Sequence, residues 1–194
     1  MESLSDQEII SRVLGGNTRS FAELLERHKD KAMTIAMRML RNREEAEEAV
    51  QDAFVRAFNA LGKFEKRSTF STWLYRILFN VCSTMLSKRG GPPQSISSDN
   101  NEGEQEDEIP DLSEIPDSIV EGDEFRQQVV ESMNELPPLY SGIATMFYLD
   151  DLSYEEIVTI TGAPLGTVKA RLFRARALLR DAIVRRIGIK EFAR

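Results

Sequence analysis

An all-α protein built as two small helical modules is what this sequence predicts, on three observations. Apolar residues recur at helical spacing, closed by recognisable caps, through most of the chain. No strand-length run of alternating apolar and polar residues occurs. Between the two sets of helical segments lies a stretch, Arg89 to about Ile119, that is rich in Gly, Pro, Ser and acidic residues. It buries too little apolar surface to offset its ordering entropy and reads as a flexible acidic linker. The expected division is 1–88, 89–119 and 120–194.

In the first module, Ser5 and Glu8 form a capping box before Ile9, Ile10, Val13 and Leu14, and Gly15-Gly16 end that short helix. Asn17, Thr18 or Ser20 is placed to cap the next helix, which carries Phe21, Leu24, Leu25, His28, Ala32, Ile35, Ala36 and Met39. His28, the only histidine, has no partner ligands and reads as a structural or surface residue. Asn42 introduces a helix over Glu44–Leu61 with the stripe Ala46, Ala49, Val50, Ala53, Phe54, Ala57, Phe58 and Leu61. Its other side, Glu44, Glu45, Glu48, Gln51, Asp52 and Asn59, is either a solvated face or a docking face for a basic partner.

Gly62 breaks that helix, and Lys63 to Thr69 form a loop that mixes cations with Phe64. Phe70 to Lys88 then reads as a helix apolar nearly all round, with one polar strip, Arg76, Asn80 and Ser83, beside Trp73. Such a helix belongs to a buried core. An Arg–Asn strip beside Trp, behind a basic and aromatic loop, also meets the needs of a single-stranded nucleic-acid platform. Aromatic faces stack on bases and cations hold the backbone. Both readings stand at this point.

The second module begins with a helix expected over Val120–Leu136, carrying Phe125, Val129, Val130 and Met133, and a second over Leu139–Leu149. Ser153 and Glu156 form another capping box, Ile157 and Ile160 face inward, and Gly162 supplies a left-handed stop. Pro164 opens the last helix, so the pair reads as a helix-turn-helix. At about 100° per residue, Val168, Leu172, Ala175 and Leu179 share one side with Arg171 at its edge. Lys169, Ala170, Phe173, Arg174 and Ala177 share the opposite side. Cations reach guanine edges and small or apolar groups meet the thymine methyl, so this face suits a DNA major groove. Arg171, Arg176 and Arg180 flank it, where phosphates would run.

The net charge of −7 argues against a nucleic-acid binder only until its distribution is seen. Every charged residue between Ser97 and Glu124 is acidic, whereas nine cations from Lys169 onward face only Asp181 and Glu191. One cysteine, Cys82, and one histidine exclude a disulfide framework and a Cys/His metal site. No metal or cofactor is expected. The acidic start Met1-Glu2-Ser3, without an apolar run behind it, does not read as a signal peptide. With no run of about 18 apolar residues, a cytoplasmic protein is expected.

Three segments occur in order: Gln51-Asp-Ala-Phe-Val-Arg-Ala-Phe58, Phe70-Ser-Thr-Trp-Leu-Tyr-Arg-Ile-Leu-Phe-Asn80, and Leu152-Ser-Tyr-Glu-Glu-Ile157 with Gly166-Thr-Val-Lys-Ala-Arg-Leu-Phe-Arg-Ala-Arg176. Together they resemble a bacterial RNA polymerase sigma factor of the extracytoplasmic function (ECF) group. The resemblance implies sigma-2 and sigma-4 domains joined by a flexible linker. It assigns contact with the clamp helices of the largest polymerase subunit to Glu48, Gln51, Asp52 and Phe54. Recognition and melting of the minus-ten element, with one base flipped out, would fall to Phe64, Lys66, Arg67, Ser68, Thr69, Phe70, Trp73, Arg76 and Asn80. Duplex reading of the minus-thirty-five element would fall to Thr167, Lys169, Ala170, Arg171, Phe173, Arg174 and Arg176. The implied partners are core RNA polymerase, promoter DNA and an anti-sigma factor, with no small-molecule substrate. One departure stands out: Asp151 occupies a place where many relatives have Gly.

Two other classes compete. A one-component repressor or activator would use the same helix-turn-helix as a dimer, but nothing before Lys88 looks like a sensory or dimerisation domain. An enzyme would need convergent acid, base or metal groups, which a lone His and no glycine-rich phosphate loop do not provide.

Overall fold

The computed structural model describes residues 4–90 and 129–187. Within them every regular element is helical. The expected linker beyond Gly90, and the expected helix from Val120 up to residue 128, lie outside the described residues.

Local chemistry sets the helix ends. α1 (Asp6–Leu14) starts on the Ser5–Glu8 capping box: Ser5 Oγ accepts from the Glu8 N–H at 3.3 Å, and the Glu8 carboxylate accepts from the Ser5 N–H at 2.7 Å. α2 (Phe21–Leu40) follows a 3-10 turn, Thr18–Ser20, and no side chain caps either, so the cap expected from Asn17, Thr18 or Ser20 does not form. Asn42 caps α3 (Arg43–Ala60) by accepting from the Glu45 N–H at 3.0 Å. Thr69 caps α4 (Phe70–Lys88) through the Thr72 N–H at 3.2 Å. The second half comprises α5 (described over 129–133), α6 (Pro138–Tyr148), α7 (Tyr154–Thr161) and α8 (Leu165–Ile187).

The Asp151 departure has a backbone explanation. Its φ is 54°, in the left-handed region where glycine is favoured and Asp is among the better-tolerated alternatives. The same conformation at Gly162, φ 68°, ends α7 as its N–H donates to the Val158 carbonyl at 2.8 Å. Pro164 sits one residue earlier than expected: it lies outside α8, and its carbonyl accepts from the Val168 N–H at 3.0 Å. At the start of α7, Ser153→Ala is expected to lower stability by about 1 kcal/mol, because the orphan Glu156 N–H loses its acceptor. A thermal melt of the two proteins checks this.

The two halves do not stand apart. One continuous apolar core runs from Ile9, Leu24, Ile35, Met39, Leu74 and Leu78 into Ile143, Met146, Ile157, Val168 and Leu172. α2 packs on α3, α4 and α6, and α4 packs on α3 and α7. A smaller cluster of Met133, Leu136, Ala144, Ala175 and Leu179 closes the C-terminal half.

Candidate nucleic-acid interface

The last helix presents two faces, as its spacing predicts. Val168, Leu172 and Ala175 are fully buried and Leu179 nearly so, while Phe173 is 53% exposed. Ala170 and Ala177 are exposed, and Thr167, Lys169, Arg174 and Arg176 are half-buried. Lys169 Nζ lies 5.9 Å from the centre of the Tyr154 ring, so the first residue of α7 helps aim a cation on α8. An aromatic, two small residues and cations therefore share one accessible face. Arg171 differs from expectation. It is only 6% exposed and lies with the apolar side of the helix, so it does not flank a phosphate track. At about 100° per residue it projects roughly 60° from Val168 and 40° from Ala175, close enough to the apolar stripe for packing to draw it inward. Arg180 is exposed. Further along, Arg186 donates to Glu135 at 2.7 Å and to Glu131 at 2.5 Å, and Arg185 to Glu135 at 3.2 Å. Those two cations tie α8 to the end of α5.

At the start of α4, the loop and the helix bring three aromatic rings together. Phe64 and Trp73 have ring centres 5.1 Å apart, Phe64 meets Phe70 edge-on at 6.1 Å, and Phe70 lies 5.9 Å from Trp73. Phe70 is buried, 3% exposed, so it is the internal member of this cluster rather than a stacking surface. Trp73, Phe64 and Ser68 are half-buried; Lys66, Arg67 and Thr69 are exposed. Lys66 turns the loop with φ 57°, and Arg67 pairs with Glu65 at 2.7 Å. His28 holds Asp6 at 2.8 Å and sets its ring 5.4 Å from Phe70, which is the structural role expected of it.

α4 has a buried side and an exposed polar strip. Leu74, Tyr75, Leu78, Phe79, Val81 and Cys82 are buried. Arg76 and Asn80 are exposed one turn apart, in line with Trp73. An exposed side-chain amide carries no desolvation cost, so Asn80 is available to a ligand.

α3 presents Glu48 and Gln51 to solvent, with Asp52 half-buried and paired to Arg56 at 2.8 Å. Phe54 is 4% exposed and so is not a protruding contact as expected; it lines a groove between α2 and α3. The groove has a volume of about 560 Å³ and is walled by Phe21, Leu25, Met33, Val50, Val55 and Phe58. Sequence reasoning missed it. Phe21 and Leu25 read as core residues of α2, and only Val55, apolar on the polar side of α3 and 52% exposed, hinted at an open face.

Comparison with known proteins gives two family matches in chain order. The sigma-70 region 2 family matches residues 24–91, and the sigma-70 region 4 family matches residues 126–179. The chain is 34% identical over 180 residues to the RNA polymerase sigma-H factor of Pseudomonas aeruginosa, covering 92% of this chain and 93% of the relative. It is 35% identical over 184 residues to the ECF RNA polymerase sigma-E factor of Escherichia coli K12, covering 94% and 96%. Among solved structures, CnrH in complex with the cytosolic domain of CnrY has the same fold, with a TM-score of 0.60 at 21% identity over 90% of this chain and 94% of that one. The sigma factor RpoE of Bartonella quintana, in complex with the anti-sigma factor NepR, has a TM-score of 0.60 at 22% identity over 85% and 97%.

Proposed function

We propose a division of labour among these surfaces for a chain that belongs to the ECF group of the sigma-70 family. As a sigma factor it is a transcription initiation factor and not an enzyme: it binds core RNA polymerase and promoter DNA. The first module, 1–88, carries the polymerase face and the minus-ten platform, and the second, 120–194, reads the minus-thirty-five element, with 89–119 as the tether. The cytoplasm, where polymerase and promoter meet, is its place of action; none of the described helices is long and apolar enough to cross a membrane.

Glu48, Gln51 and Asp52 on α3 meet the clamp helices of the largest polymerase subunit, and the adjoining apolar groove with Phe54 at its base receives a side chain of that partner. Lys66, Arg67, Ser68 and Thr69 steer the minus-ten strand. Phe64 and Trp73 offer stacking surface, Phe70 holds them in place, and Arg76 and Asn80 reach the flipped base. On α8, Thr167, Lys169, Ala170, Phe173, Arg174 and Arg176 face the duplex, while Arg171 supports the helix from inside. The observation that carries this reading is the exposure of three chemically distinct faces on α3, α4 and α8, in the chain order of regions 2 and 4. An anti-sigma factor covers the polymerase face when the chain is held inactive; the two structural neighbours were each captured with a second chain bound. Run-off transcription with purified core polymerase tests the whole: promoter-specific initiation is expected, and its absence refutes the reading.

Within α8 the roles separate. Arg174→Ala is expected to cost roughly 1–3 kcal/mol and to relax preference at one or two upstream base pairs. Arg180→Ala weakens binding about equally on all sequences, because a phosphate contact carries no base information. Selection from a randomised upstream element distinguishes the two.

A further inference from the structure

The three rings at the start of α4 rest on a residue from another element. Phe64 closes the 3-10 turn after α3, its N–H donating to the Leu61 carbonyl at 3.1 Å. Residues 65–68 behind it make no backbone-to-backbone hydrogen bond among the described residues. The Phe64 ring is therefore held by its neighbours, Trp73 at 5.1 Å and Phe70 at 6.1 Å. Phe70 is the buried one, and on its other side lies His28 of α2, with ring centres 5.4 Å apart and planes tilted at 53°. The imidazole is itself fixed. Its Nε2 lies 2.8 Å from Asp6 Oδ2, and the other oxygen of that carboxylate accepts from Arg27 Nη1 at 2.9 Å. Asp6 is the first residue of α1, so α1 reaches the rings of α4 through this histidine. Only 14% of the His28 side chain is exposed. Histidine suits the place because its polar edge meets a carboxylate while its face packs on an aromatic ring.

We propose that His28, oriented by Asp6, is a positioning residue for minus-ten recognition: it fixes the ring of Phe70, which sets the stacking surface of Phe64 and Trp73. This role rests on the reading that Phe64 and Trp73 stack on the minus-ten strand. Stacking depends on where a ring face stands, and close-packed rings move together. Without the imidazole Phe70 has room to sink, and the two rings above it splay or close the gap a base would enter. His28 lies behind Phe70 and acts through it. Its ring matters here, and its charge does not.

Trp73 is the only tryptophan in the chain, so its emission from the full chain, without DNA or polymerase, reports the platform. Two variants divide the histidine: His28→Gln keeps a hydrogen-bonding group for Asp6 and loses the ring, whereas His28→Phe keeps a ring and loses the hydrogen bond. His28→Gln is expected to shift Trp73 emission to the red as the indole meets more water. With core polymerase it should bind a single-stranded minus-ten oligonucleotide about tenfold more weakly, consistent with one impaired stacking contact. Its affinity for a minus-thirty-five duplex should not change. His28→Phe is expected to keep the wild-type emission and to recover most of the oligonucleotide affinity. Unchanged emission and single-strand affinity in a folded His28→Gln chain overturn the proposal, as does an equal loss on both DNA elements or a His28→Phe no better than His28→Gln. If His28→Gln does not fold, Asp6→Ala frees the imidazole without emptying its place; the same split between the two elements is expected at smaller amplitude, and its absence also overturns the proposal. Wild-type holoenzyme that fails to bind the minus-ten strand overturns the platform and this role with it, whereas the emission shift, read without DNA, bears on His28 alone.

Discussion

Reversing charge and polarity with Gln51→Lys and Asp52→Lys is expected to abolish association with core RNA polymerase while leaving the helical content of the chain unchanged. Gln51 is exposed, and among the described residues Asp52 pairs with Arg56 on its own helix, an i,i+4 pair worth about 0.3–0.5 kcal/mol. The fold therefore loses little. Binding is expected to lose much more: in the proposed docking, the variant places two cations against a partner surface that Glu48 and Asp52 would otherwise meet. Like-charge juxtaposition across an interface costs several kcal/mol, and about 3 kcal/mol already lowers affinity roughly a hundredfold. Co-purification at moderate salt, with circular dichroism as the folding control, reads both halves of the expectation. A variant that still co-purifies would move the principal docking site away from α3.

The second large effect concerns promoter opening. Asn80→Ala is expected to leave the melting temperature nearly unchanged, because the side chain is exposed and no buried partner is orphaned by its removal. It should slow open-complex formation on duplex promoter about tenfold, consistent with the loss of a hydrogen bond worth roughly 1–1.5 kcal/mol. On a template already mismatched at the minus-ten element the defect should be much smaller, since premelting removes the unstacking step that the residue is proposed to assist. Permanganate footprinting of unpaired thymines follows the opening directly. An equal defect on both templates would show that Asn80 acts elsewhere than in base capture.

The contrast between Asn80 and Phe70 shows where sequence reasoning reaches its limit. Both lie on α4, and both resemble the corresponding positions of a minus-ten platform. Periodicity left open whether the polar strip of a nearly all-apolar helix faces solvent. It does so because α2, α3 and α7 cover the other sides and nothing among the described residues covers this one. Phe70 is buried beside His28 on one side and Phe64 and Trp73 on the other, and only the three-dimensional arrangement of α2 and the loop decides that.

The sequence by itself determined the family, the described helices and several of their caps, though not that of α2. Capping boxes at Ser5 and Ser153, the Asn42 and Thr69 caps and the left-handed Gly162 act between residues at most four apart, so local order encodes them completely. The outward face of α8 follows from the same short-range geometry. Tertiary structure decided depth and apposition: that Arg171 turns inward, that Phe54 lines a groove, and that Gly142 meets Met39 from the far half of the chain. Burial of a side chain depends on which other element reaches it. A helical period specifies which residues share a face but not what that face will touch, so the closed packing of the two halves had to come from the folded molecule.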